Sequence, residues 1–428
     1  MNRSGYKRPL TRRDLLIASA LTGIGSLLAG CAPDDAKQTV RSSPPSAGPP
    51  RTVIPIDSVA DFVASQSSFA ARLLSQVASP TDNAVVSPFS VMQVTAMLAG
   101  GAAGATANQL ALAIGGAGST PAEVVDGANA TLGVLSKLRK STILNGAALF
   151  VDDEFPLQQS YVESLTDLFG ARPRTLDLQS PRARADINAW ISDQTQSAIQ
   201  TLLKPNDLGP ETTLLIASAM YLKADWRIPF NVAETAAGEF ALKADSVISV
   251  QKMHSSATRR AFADDGLEIV ELECVDKDLT ALIIAPALGK VDGALALMAD
   301  NCSLSELIAK MTLRLVDLAV PKFSVRARSE LVKALTALGI TDAFADNADF
   351  SGISTAPLTI NKVLHEAWLK VDERGTEGAA ATAATGEVSA PAPQTGAITV
   401  DVNRPFLVFV RERTSAAVLF AALIRDPR

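Results

Sequence analysis

The chain is poor in the residues from which metal centres and catalytic bases are built. Its 428 residues include two histidines, His254 and His365, and three cysteines, Cys31, Cys274 and Cys302. No CxxC or HExxH spacing occurs, so a metal site has no ligand set and no cofactor is expected. A serine hydrolase would have to draw its base from the same two histidines, and no GxSxG is present. An SxxK match, Ser4 to Lys7, lies in a segment that reads as removable. Glycines in "AIGGAGST" lack the lysine of a phosphate loop. Positive charge is short as well: 39 basic against 45 acidic side chains leave a net charge of -6. Nucleic acid is therefore not an expected partner. No internal repeat is visible.

What the chain has is apolar mass, 47% by composition, enough for one large domain or two ordinary ones. The first residues stand apart. "MNRSGYKRPLTRRDLL" carries five basic residues ahead of the apolar run "LLIASALTGIGSLLAGC", the layout of an export signal, too short for a membrane span. Arg12 and Arg13 resemble a twin-arginine signal, and "LAGC" resembles a bacterial lipobox. These resemblances imply export with a lipid anchor on Cys31, and residence in the cell envelope, either periplasm or cell surface, with release outside the cell as an alternative. Residues 1–31 are read as the signal, 32–52 as a proline-rich tether and 53–428 as a single domain. With Cys31 lipidated, Cys274 and Cys302 share a compartment that permits a disulfide without requiring one.

Within the domain, helical patterns crowd the first half and strands the second, with no alternating βα units, so the expected class is α+β. "PRARADINAWISDQTQSAIQTLL" reads as helix throughout, with Ile187, Trp190, Ile191 and Ile199 on one side. "LRLVDLAVPKFSV" reads as one extended piece. In "KVLHEAWLKVDE" alternation puts Val363, His365, Ala367, Leu369 and Val371 on an apolar face, where a histidine is expected to be a neutral, hydrogen-bonded core member.

After this strand comes "VDERGTEGAAATAATGEVSAPAPQTGAITVDVNRPF". Even positions Thr376, Gly378, Ala380, Thr382, Ala384, Gly386 and Val388 are small or uncharged, and both acids, Glu377 and Glu387, are odd. Such a segment holds a strand poorly alone and should be exposed and cleavable. Placed between two strands, it could bury one face without burying a charge. Twelve inserted residues would span about 40 Å.

Four stretches in order resemble the serpin family: "NAVVSPFSVMQVTAMLAGGAAGATANQL", "VPKFSVRARSELVKALTALGITDAFADNADFSGIS", "LHEAWLKVDERGTEGAAATAATG", and "VNRPFLVFVRE" with "AVLFAALIRDP". The resemblance implies a fold of three β-sheets and about nine helices with an exposed reactive centre loop, here 373–402. It implies a monomer that supplies no catalytic residue and traps a target serine protease as a covalent acyl-enzyme while the loop inserts. Carried over, Glu373, Gly375, Thr376, Glu377, Gly378, Ala379, Ala380 and Ala381 form the hinge. Ser87, Ser90, Ser218 and His365 form the cluster where the main sheet parts, and Trp226 stands beside its upper end. Reactive-bond candidates are Ser389, Ala390, Val388 and Thr385, whose small side chains imply an elastase-like or subtilisin-like target. A family member that is only a cleavable substrate or a binding module is the alternative.

Overall fold

The structure, a computed structural model, describes residues 52–210, 212–264, 266–300, 304–376 and 395–428. Cys31, Cys302 and loop residues 377–394 lie outside the described residues. Among the described residues there are nine α-helices, six of them before residue 195, and most of the strand length lies after residue 213. This is the α+β segregation expected.

At the centre is the helix Pro88–Ala99, all twelve of whose residues are buried. Enclosure on every side explains why its sequence has no polar stripe. Pro88 occupies its first position, and Ser87 caps it by accepting the Ser90 N–H at 3.3 Å. The helices Ala60–Val77, Gly104–Gly115 and Pro121–Leu135 complete this side of the core with Phe69, Leu73, Leu74, Ile114 and Val124. The last of them starts with a capping box, in which Thr120 and Glu123 satisfy each other's backbone N–H.

One helix stops short of its pattern. Apolar spacing continues through Ile199 to Leu203, yet the helix is Ala183–Gln194. Gln196 and Ser197 take left-handed φ values of 49° and 65°. The Thr195 hydroxyl replaces helical bonds, donating to the Ile191 carbonyl at 2.8 Å and accepting the Ile199 N–H at 3.1 Å. Ile199, Leu202 and Leu203 still enter the same buried cluster, now from an irregular connection.

The main sheet has seven strands, in the order Phe323–Glu330, Val363–Val371, Gly375–Thr376, Leu214–Asp225, Ala148–Asp152 and Arg174–Leu176, with Thr142–Asn145 also on Leu214–Asp225. A second network of nine strands runs from Ala84–Val86 to Thr395–Asp401. Its 18-residue strand Ser246–Ala263 meets Leu267–Glu273 only through Ala261, Phe262 and Ala263. The rest of that strand pairs with Ala236–Lys243 and Thr312–Pro321. The network divides there, giving three sheets in all. "LRLVDLAVPKFSV" is thus two strands, Thr312–Pro321 in the small third sheet and Phe323–Glu330 in the main one, broken at Lys322.

Candidate functional site

Val363–Val371 and Leu214–Asp225 lie side by side and parallel, but their ladder covers only Val363–Ala367 against Ile216–Met220. Among the described residues no pair joins them above that level until Thr376, which pairs antiparallel with Val371 on one side and Ala224 on the other. The chain reverses over Asp372–Gly375, where the Asp372 N–H donates to the Gly375 carbonyl at 3.0 Å, and returns as a two-residue wedge in the seam. Thr376 is 1% exposed, and its hydroxyl accepts the Ala224 N–H at 3.1 Å. Gly375 has no alternative here, because a Cβ would overlap the Ala224 carbonyl oxygen.

The reversal is held from three directions. The Trp226 indole N–H donates to the Asp372 carbonyl at 2.9 Å, and the Trp226 backbone N–H to that of Arg374 at 2.7 Å. The buried Glu373 carboxylate receives Lys322 Nζ at 2.9 Å and the Thr235 hydroxyl at 2.8 Å. These contacts fix Asp372 to Thr376 at the upper end of the seam.

At the lower end of the seam the four serine and histidine positions come together. His365 is fully buried on the core face of its strand, level with Ser218 across the ladder. Its Nε2 accepts the Ser87 N–H at 2.9 Å, so the neutral ring carries its proton on Nδ1, 3.1 Å from Ser218 Oγ. The chain continues from Ser218 Oγ to Ser90 Oγ at 2.5 Å and from Ser90 to Asn145 Oδ1 at 3.1 Å. Asn145 in turn donates to Gln93 Oε1. The cluster bonds the central helix to both strands flanking the seam.

Burial pushes the His365 imidazole down to about 4 from an ordinary value of 6.5. Between those values the unfolded chain takes up a proton that the folded one refuses. The stability His365 contributes is therefore complete above pH 6.5 and is lost as pH falls toward 4, up to about 3 kcal/mol. The unfolding free energies of the protein and of a His365→Gln variant should accordingly converge between pH 7 and pH 4.5 in urea titrations; parallel pH curves would contradict this assignment.

Of the remaining expected site residues, Glu373 lies in the reversal, and Gly375 and Thr376 form the wedge just described. Glu377, Gly378, Ala379, Ala380 and Ala381, the bond candidates Thr385, Val388, Ser389 and Ala390, and Cys31 lie outside the described residues. Cys274 is a free thiol in the core, its ionisation disfavoured chiefly by burial. The sequence reading missed Gln93 and Asn145 as members of the hydrogen-bonded chain, and Lys322 as the partner of Glu373. Gln93 sits one helical turn beyond Ser90, a usable signal; Lys322 interrupts the apolar run from Leu318 to Phe323, which is another.

Comparison with known proteins identifies the class to which this sheet and its wedged seam belong. A family-wide sequence profile, "Serpin (serine protease inhibitor)", matches residues 64–427. Serpin A3-3 of Bos taurus is 32% identical over 375 residues, 86% of this chain and 89% of that one. Serine protease inhibitor 42Dd of Drosophila melanogaster is 32% identical over 307 residues, 70% and 81% of the two chains. Among solved structures, thyroxine-binding globulin in complex with thyroxine aligns with a TM-score of 0.76 at 24% identity, covering 86% of this chain and 99% of that chain. The chain belongs to the serpin family, whose description is one of serine protease inhibition.

Proposed function

We propose that this serpin inhibits elastase-like or subtilisin-like serine proteases by suicide loop insertion. The observation that carries this reading is the register of the wedge. Continued by counting, it sets Glu377 between Lys370 and Lys223, Gly378 between Leu369 and Leu222, and Thr382 between His365 and Ser218. Every even loop position would then face the main core, where Leu222, Met220, Ser218 and Ile216 already point. Those positions are uncharged and small, and both acids fall on the odd ones. Glu377 would fall on the other face beside two lysines, so insertion buries no unpaired charge.

In this reading the protease serine attacks the carbonyl of the residue before the cleaved bond, and the amine of the following residue leaves with the proton. The serpin is then an ester on the enzyme. Insertion of the freed strand removes the enzyme from the end of the sheet before water reaches the ester, with the energy supplied by a native fold that is a kinetic trap. Export and a lipid anchor on Cys31 would place the inhibitor at the cell envelope. Incubation with elastase should give a complex that survives SDS and release a C-terminal peptide beginning near Ser389. Mass spectrometry of that peptide assigns the bond, and of membrane-extracted protein, whether the mature chain begins at an acylated Cys31. Full cleavage with undiminished protease activity would instead identify a substrate or binding member of the family.

A further inference from the structure

The lower half of the seam is not bare. The helix Ala183–Gln194 and the connection that follows it lie across it, their Ile187, Ile191, Ile199, Leu202 and Leu203 sharing one buried cluster with Leu215, Ala217 and Ala219 on one strand and Leu364 on the other. On the near side this cover is tied to its own helix and strand: Asn188 exchanges hydrogen bonds with the Leu203 backbone at 2.8 and 2.9 Å, and the chain runs directly into Leu214.

On the far side the attachment is ionic and converges on one residue. Asp207 Oδ2 pairs with Arg328 Nη2, on the edge strand Phe323–Glu330. Lys362, one residue before Val363–Val371, places Nζ 3.4 Å from Asp207 Oδ1 and 2.9 Å from its carbonyl oxygen. Arg328 Nε also donates to the Leu202 carbonyl at 2.5 Å, and Lys362 Nζ to that of Asn206 at 3.3 Å. The carboxylate is pre-aimed by its own turn, in which Oδ2 accepts the Lys204 N–H at 2.7 Å. Its side chain is 15% exposed, and those of Arg328 and Lys362 are 20% and 30% exposed, so these charges are only partly screened.

We propose that Asp207 is a positioning residue for loop insertion, a latch that fastens the cover to the far side of the seam and must release before a strand can enter. This rests on the insertion reading above. A new strand would separate Val363–Ala367 from Ile216–Met220 by one strand spacing, about 4.8 Å. Apolar side chains can slide over such a step. Charge pairs of this kind cannot follow it, because the connection is bound covalently to the near side and Arg328 and Lys362 move with the far side.

The test uses the intact protein and a synthetic peptide of residues 376–389, with incorporation followed on native gels and by mass. Asp207→Ala should take up the peptide about tenfold faster than the unaltered protein, the loss of roughly two half-buried charge-assisted bonds. Arg328→Met should accelerate it similarly, the double variant should be no faster than either single one, and Asp207→Glu should restore slow uptake. Lys362→Gln repeats the comparison should Asp207→Ala fail to fold. Equal rates in all forms, or accelerations that multiply in the double variant, overturn the latch while leaving insertion standing. No uptake by any form overturns both.

Discussion

Replacing Thr376 by arginine should turn the protein from an inhibitor into a substrate. Thr376 is already enclosed, 1% exposed between Val371 and Ala224, with its hydroxyl on the Ala224 N–H. A guanidinium at that position would replace a hydroxyl bonded to the Ala224 backbone and would bring a charge into a fully enclosed site. Of the nearby acids, Asp372 and Glu373 are engaged in holding the reversal. Burying an unpaired cation costs several kcal/mol, and even about 3 kcal/mol slows a step roughly hundredfold. Insertion begins at this residue, so it would lose the race against hydrolysis of the ester. Measured as inhibitor consumed per enzyme trapped, Thr376→Arg should require roughly tenfold more protein or worse, with cleavage of the loop itself undiminished. Unchanged stoichiometry would mean that Thr376 does not lead the insertion.

The second large effect follows from the same register. Cleavage at one bond between residues 385 and 390 frees residues 377–385 to continue the wedge. Each gains neighbours on two sides, while the five parallel pairs from Val363 to Ala367 are given up. The net gain is on the order of ten ladder hydrogen bonds at about 1 kcal/mol each. Spread over a domain of this size, whose unfolding entropy is about 0.8 kcal/mol per kelvin, that moves the thermal transition up by roughly 13 °C. The increase should appear without any protease remaining in the sample, because it belongs to the serpin chain alone.

How much of this was legible beforehand depended on whether the signal was local. The alternation of Val363, His365, Ala367, Leu369 and Val371 put His365 on the core face without any structure, and the histidine is buried there. The same alternation did not show that Leu364 and Glu366 are buried too, because their cover comes from the helix Ala183–Gln194 and from Arg326, far away in sequence. That helix was overextended for a related reason. Ile199 and Leu203 keep the helical spacing, and only the Thr195 hydroxyl, a competitor invisible to periodicity, stops it. Ser87, Ser90, Ser218 and His365 were named together from family resemblance, and no local pattern could have joined residues up to 278 positions apart. Asp207 was not singled out at all. It is one acid in a polar run, and its importance comes from Arg328 and Lys362, which are 121 and 155 residues distant.

The most direct measurement is the thermal unfolding of the intact and the singly nicked protein at one pH, with amide exchange followed in Leu214–Asp225 and Val363–Val371. If the reactive segment becomes the strand between them, the nicked form melts roughly 13 °C above the intact one and the amides facing the seam slow. A nicked form that melts at or below the intact temperature, with those amides unchanged, contradicts the account.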